Sequence, residues 1–369
     1  MKRKVLPILL ALLLTGCGAV TESTPEATVP VTEPTGTETL TETSILTEST
    51  TETVTEPITE TQTETQTEPA TEPETSPADQ PPQLLNWEPH LGVYWLTVGM
   101  GDHRDLDEII SYGDDHDPHP TMTWEGDFDP DEPGEYPITV TLTDSAGNSA
   151  DYDVTVSVPW EKMTSHCSFD LFLSQNEGKS CGIDVSVWQG DVDYEAVKNA
   201  GAEFVLMRIG YGDSYGSEVD EKFTQNLENA RAAGLRVGVY YYSSADSPEG
   251  AAAQADWIAQ QLDGAELDFP VAYDWENFSC YQAWGMSFDT LNAIYAAFAE
   301  RMAENGYDTM LYAEPNTLGR AWYLPGKTVW LADYGVNTDY EGDFYMRQCW
   351  NTGRIDGIDG DVDLNVLTE

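Results

Sequence analysis

Beyond residue 182, short apolar runs alternate with longer stretches whose apolar residues recur at three- and four-residue intervals. The runs at 182–186, 204–210, 236–243, 269–276, 309–313, 328–334, 345–350 and 362–366 read as strands. Helical periodicity fills the early gaps: a short helix N-capped by Asp193 and running to 198, then 219–233, 249–262 and 288–304. Gly234 and the Asn305-Gly306 pair stop two of these helices, since both residue types tolerate the left-handed conformation after a last turn. Strand followed by helix, repeated, predicts a parallel sheet with helices outside it. Eight strands in about 190 residues favour an α/β fold closed into an irregular TIM-like barrel that has lost its last helices. A doubly wound open sheet is the alternative. In a parallel barrel the reacting groups collect at the C-terminal ends of the strands.

Upstream the rhythm changes. Residues 136–144 and 152–158 alternate apolar and polar positions around the turn Ser145-Ala146-Gly147-Asn148, the pattern of a hairpin with one buried face. With the weaker pattern before it, this predicts a small all-β sandwich over 83–160, joined by a connector at 161–181 to the domain at 182–369. The string from Pro133 to Asn148 resembles the immunoglobulin-like repeats of bacterial surface proteins, which implies a spacer or adhesive unit. Asp114, Asp115, Asp117, Asp127, Asp129 and Asp131 crowd this region. They are dense enough to suggest calcium, but their spacing is not that of an EF-hand, so a solvated acidic loop is favoured and no metal is expected. Residues 18–82 hold almost nothing apolar. Thr, Glu, Pro and Ser dominate with a Thr-Glu period, which predicts a disordered, extended linker. The first 17 residues combine a basic start with an apolar stretch, 5–14, too short to span a membrane. Leu14-Thr15-Gly16-Cys17 resembles a bacterial lipobox. That resemblance implies export, cleavage before Cys17, lipidation of its thiol and anchoring at the outer face of the membrane.

A formal net charge of −50 argues against nucleic acid and anionic lipid headgroups as partners, so membrane contact is expected through the lipid anchor alone. No cofactor is expected, and no cysteine spacing suggests a metal. Cys167, Cys181, Cys280 and Cys349 allow three disulfide pairings, a Cys167–Cys181 loop among them. All five histidines precede residue 182, which removes a histidine-based nucleophilic triad from the last domain. A monomer is expected.

Candidate chemistry sits at the predicted strand ends. The run from Phe269 to Tyr273 leads into Asp274-Trp275-Glu276, two carboxylates that a strand projects to one face. Two acids in one site push their proton affinities apart, leaving one able to donate a proton and one charged. That is the equipment for cleaving a glycosidic bond. Asp184 on the first strand and Asp363 on the last add two more acids. Tyr240, Tyr242, Tyr312, Gln348 and Trp350 offer aromatic faces and an amide suited to pyranose rings and their hydroxyls.

In order along 182–369 stand Gly182-Ile183-Asp184-Val185-Ser186, Gln189-Gly190, Asp193-Tyr194, Val239-Tyr240, Tyr273-Asp274-Trp275-Glu276, Trp330-Leu331-Ala332-Asp333-Tyr334, Gln348 and Asp361-Val362-Asp363-Leu364-Asn365. This series resembles the family 25 glycoside hydrolases, lysozymes that cleave the β-1,4 bond between N-acetylmuramic acid and N-acetylglucosamine. The resemblance implies a barrel of eight strands and about five helices, with the glycan strands of peptidoglycan as partner. It implies Glu276 as general acid, Asp274 and Asp363 as acids that orient substrate or stabilise charge, and Asp184 as the first-strand acid. Two places depart from the family pattern. Met346-Arg347-Gln348-Cys349-Trp350 stands where Trp-Gln-Tyr is usual, and Tyr312-Ala313-Glu314-Pro315 brings an unexpected glutamate. Both target sugars carry 2-acetamido groups, so a substrate-assisted route is favoured. A catalytically silent glycan-binding surface protein is the alternative. The chitinase pattern Asp-x-x-Asp-x-Asp-x-Glu is absent, since Asp268 lies six before Asp274 with Val271 and Ala272 between.

Overall fold

Eight strands close into a ring: β1 (Cys181–Val185), β2 (Phe204–Asp213), β3 (Arg236–Ser244), β4 (Val271–Asp274), β5 (Thr309–Ala313), β6 (Val329–Ala332), β7 (Met346–Arg354) and β8 (Val362–Leu367), with β8 pairing back onto β1. The structure is a computed structural model that describes residues 79–160, 165–279, 281–323 and 325–368. The lipobox cysteine, the linker up to residue 78 and Cys280 lie outside the described residues. Five helices flank the ring: α1 (Phe169–Gln175), α2 (Tyr194–Asn199), α3 (Phe223–Ala232), α4 (Pro248–Leu262) and α5 (Phe288–Glu304). Asp193 caps α2 by accepting from Ala196 N, and Ser247 and Ser287 cap α4 and α5 in the same way.

Two apolar layers hold the barrel. Inside it, Leu206, Ala272, Met310, Trp330, Ala332 and Met346 pack together. Between ring and helices, Ile183, Val205, Val237, Val271, Leu311 and Leu331 meet Ile258, Ile294 and Phe298. Strands buried on both faces explain the unbroken apolar runs in the sequence.

Three features of the barrel and its connector differ from the sequence expectations. First, β8 runs antiparallel to both β7 and β1. Only a short loop separates it from β7, too little for the crossover that a parallel pairing needs. Second, the segment from 219 does not begin a helix. Gly216–Val219 forms a hairpin with the extended end of β2, and α3 starts at Phe223. Third, the connector contains α1, whose Phe169 and Phe172 are buried in the outer barrel core, and Cys167–Ser168, which pairs with the end of β7. Cys167, Cys181 and Cys349 are free, buried thiols. Burial pushes Cys181 up to about 12 and Cys349 to about 11, so both stay protonated and inert.

The N-terminal residues build a five-stranded sheet in the order Trp87–Glu88, Val93–Thr97, Ser149–Val158, Gly134–Thr143, Thr121–Gly126. Ile138, Val140 and Leu142 meet Val154 and Val156 on one face, as the alternation requires. A separate pairing joins Gln83–Leu84 to Tyr112–Gly113. The acidic stretch is not uniformly solvated. Asp127, Asp129 and Asp131 are exposed, but Asp114 and Asp115 are buried where the sheet meets the barrel. At that seam Phe288 N donates to Asp114 O (2.8 Å), Asp289 N to Asp115 O (3.0 Å) and the Tyr281 hydroxyl to Tyr112 O (2.9 Å). Leu85 enters the outer barrel core, and Asn316 Nδ2 donates to its carbonyl at 3.0 Å.

Candidate active site

β4 supplies the central pair. Tyr273 and Trp275 face outward: Tyr273 packs 4.5 Å from Phe298, and Trp275 is ringed by Phe278, Tyr281 and Trp322. Burying these rings forces the alternate residues, Asp274 and Glu276, toward the barrel mouth. Asp274 ends the strand, is buried, and leaves Oδ1 without a hydrogen-bond partner. Glu276 lies two residues beyond and is exposed. The two carboxyls are within hydrogen-bonding reach of each other. Burial first, then the charge of Glu276, holds Asp274 well above the usual carboxylate range. Glu276 is also raised, by the crowding of the mouth, although its hydrogen bond with Asp274 opposes the shift. Its atoms touch water while protein surrounds it on most sides, so its charged form is solvated less well than at an open surface.

A second cluster orients the remaining acids. Gln348 Nε2 and Asn365 Nδ2 donate to Asp184 Oδ2 at 2.9 and 2.7 Å. The Tyr312 and Tyr334 hydroxyls donate to Gln348 Oε1 at 2.8 and 3.0 Å, and Trp330 Nε1 donates to Asn365 Oδ1 at 2.9 Å. Each amide oxygen therefore faces donors and each amide nitrogen faces the acid. Burial pushes Asp184 up to about 6 against the pull of these amides. Asp363 stands opposite Asp184 in the β8–β1 register, and its carboxyl is also held well above the usual range, by burial and by Asp184. Because β8 is reversed, its first residues meet the last residues of the parallel strands. This is how an acid at a strand start joins acids at strand ends. On β2, Arg208 reaches Asp220 Oδ2 with Nε and Nη2, both at 2.7 Å, and its charge opposes the rise at Asp274.

The expected sugar-binding residues divide. Tyr312 and Gln348 belong to the acid network. Tyr240 lies against the inner core, its ring 6.0 Å from Trp330. Tyr242 is half-buried, beside Asp274 in the β3–β4 register. Trp350 is not with the acids. A register shift between Gln348 and Trp350 turns it onto the outer core, where its indole nitrogen is buried without a partner. Asn365 was missed among the site residues, although it sits two after Asp363, on the same strand face. Tyr334 and Trp330 stood in the quoted strand motif but carried no chemistry by themselves.

His90 belongs to the N-terminal sheet region, yet its Nε2 lies 2.9 Å from Asp333 Oδ1 and its Nδ1 2.9 Å from Asp339 Oδ2. Chain folding, not sequence proximity, brings it to the barrel. With Glu88, Glu314, Asp333 and Tyr334 it lines a small cavity of about 50 Å³. Burial first, then the charge of Glu276, pushes Glu314 up to about 7. A separate depression of about 350 Å³ lies among Asp256, Gln260, Asn305 and Tyr307 on the helix side. Asp256 is paired there with Arg301 at 2.7 Å, so no unpaired acid equips that place for chemistry.

Residues 183–358 match the family described as Glycosyl hydrolases family 25. The autolytic lysozyme of Clostridium acetobutylicum is 29% identical over 194 residues, which is 51% of this chain and 56% of that protein. Lysozyme M1 of Streptomyces globisporus is 32% identical over 198 residues, 50% of this chain and 66% of that protein. The chain thus spans little more than half the length of the first of these relatives. A solved structure of a family 25 glycosyl hydrolase from Bacillus anthracis aligns at a TM-score of 0.46 and 21% identity, covering 52% of this chain and 89% of that one.

Proposed function

We propose, from the membership of residues 183–358 in the glycosyl hydrolases of family 25, that the barrel hydrolyses the β-1,4 bond between N-acetylmuramic acid and N-acetylglucosamine in peptidoglycan. One observation carries the reading. Asp184, Asp274 and Asp363 gather behind a single carboxyl, Glu276, that opens to solvent with its proton affinity raised. A glycan strand lying across the mouth meets Glu276 first.

Glu276 gives its proton to the leaving glycosidic oxygen as the bond to C1 breaks. The carbonyl oxygen of the substrate's own 2-acetamido group attacks C1 and closes an oxazolinium ring. Water then opens that ring while Glu276 takes a proton back. A nucleophilic carboxylate stands about 5–5.5 Å from its acid partner, and a water-activating base about 6.5–9.5 Å. Asp274, within hydrogen-bonding reach of Glu276, fits neither spacing. Asp274 therefore acts on the Glu276 proton. Asp184, ionised above about pH 6 and oriented by Gln348 and Tyr312, adds negative charge beside the developing positive charge at C1, and Asp363, its proton retained, orients the substrate. Work on a cell wall requires export, and the lipobox supports lipid anchoring through Cys17 at the outer face of the membrane.

The test is digestion of purified peptidoglycan by the whole chain, with mass analysis of the released fragments. Reducing ends on muramic acid are expected. Ends on glucosamine would replace the bond assignment, and binding without release would favour the silent glycan-binding protein.

A further inference from the structure

Asp79, Asp114 and Asp115 each bring one carboxylate oxygen within 4.8 Å of those of the other two. Asp114 and Asp115 are only 1% and 8% exposed. Their hydrogen bonding is uneven. Asp114 Oδ1 accepts the backbone N–H of His116 (2.9 Å) and of Asp117 (2.6 Å). Asp114 Oδ2 is buried with no partner, and so is Asp115 Oδ1. The neighbouring Asp144 is satisfied: its two oxygens accept the backbone N–H and the side-chain amide of Asn148, each at 2.7 Å. Among the described residues no lysine or arginine pairs with any of the three clustered acids. His116 Nε2 lies 3.7 Å from Asp115 Oδ2, and its Nδ1 faces Asp289 at 2.7 Å. Two buried carboxylates with bare oxygens beside a third acid are costly unless a proton or a cation neutralises them.

We propose that Asp79, Asp114 and Asp115 form a calcium site at the seam between the N-terminal sheet and the barrel. All three donors are hard carboxylate oxygens, with neither the imidazole nor the thiolate that zinc prefers. Calcium takes six to eight oxygens in irregular geometry, so three carboxylates and a few waters suffice, whereas magnesium demands a near-ideal octahedron. The location gives the ion a task. The backbone carbonyls of Asp114 and Asp115 accept from Phe288 and Asp289, the first residues of α5. An ion on their side chains fixes the same two residues that pin this helix. Asp79, held by Asn148 Nδ2 at 3.0 Å, ties in the segment just before Gln83–Leu84.

The experiment is calcium titration of the chelator-treated full chain, read by terbium luminescence with calcium competition and by thermal unfolding. One saturable site is expected, with dissociation near or below the 10⁻⁴–10⁻³ M range of extracellular modules. Saturating calcium should raise Tm by roughly 3–8 °C, and magnesium should compete at least tenfold more weakly. Asp114→Asn and Asp115→Asn, nearly isosteric, should each weaken calcium at least tenfold, while a combined change of the exposed Asp127, Asp129 and Asp131 to Asn leaves it intact. No uptake by the parent chain at 10 mM calcium would overturn the proposal, as would undiminished binding in the Asp114→Asn, Asp115→Asn pair or loss of binding in the triple variant. If the buried variants fail to fold, the parent's own calcium-dependent Tm decides.

Discussion

Glu276 is the residue on which turnover should depend most steeply. Glu276→Gln keeps the shape of the side chain and removes the transferable proton. Turnover on peptidoglycan should drop by roughly 10²–10⁴-fold while sedimentation assays still show glycan binding. Wild-type rates in that variant would remove Glu276 from the acid role. Asp184 makes a prediction about stability. Folding raises its pKa from 3.8 to about 6, so the folded state binds this proton more tightly than the unfolded chain. A raised acid stabilises the fold fully below its unfolded value and loses that contribution as pH climbs through its folded value. Thermal melts should therefore show stability falling between about pH 4 and pH 7, with Asp184 contributing on the order of 3 kcal/mol. Asp184→Asn should flatten that slope; an unchanged slope would mean that Asp184 titrates normally.

At the scale of elements, position in the site follows from strand direction and packing. The reversed β8 delivers Asp363 and Asn365 to the mouth from the opposite chain sense. The shift in β7 keeps Gln348 inside and sends Trp350 out. The start of α5 depends on a close approach at Gly113, where an added Cβ would fall 1.4 Å from the Tyr281 hydroxyl and 2.6 Å from Phe288 Cε1. Both rings are buried, so neither can swing away freely. Gly113→Ala should lower stability by about 1–3 kcal/mol through overpacking, seen as a drop of several degrees in Tm. An unchanged melt would show that the seam is looser than its contacts suggest.

At the scale of the whole molecule, charge and assembly dominate. A net charge of −50 repels the anionic polymers that accompany peptidoglycan. The screening length falls from about 30 Å at 0.01 M salt to about 8 Å at 0.15 M. KM on whole anionic walls should therefore fall over that range, while KM on short neutral glycan fragments changes little. Equal salt responses on both substrates would contradict the idea. The seam at Asp114, Asp115 and Leu85 packs the sheet and the barrel into one unit, and His90 reaches the barrel mouth only because of it.

The sequence by itself determined the eight strands and most helices, because strands buried on both faces must be apolar throughout and surface helices must alternate at 3.6 residues. The helix 288–304 is read to the residue, between its Ser287 cap and Gly306. It also determined the Asp274 and Glu276 pairing, since alternation along a strand is local geometry. Tertiary structure decided what depends on partners far along the chain. The antiparallel closure by β8, the amide cradle that Gln348 and Asn365 build around Asp184, the arrival of His90 and the burial of Asp114 and Asp115 are all contacts across long sequence separations. Periodicity reports which face of an element is buried, but not what it is buried against. Asp114 and Asp127 look alike in the sequence for that reason, though only Asp114 is enclosed.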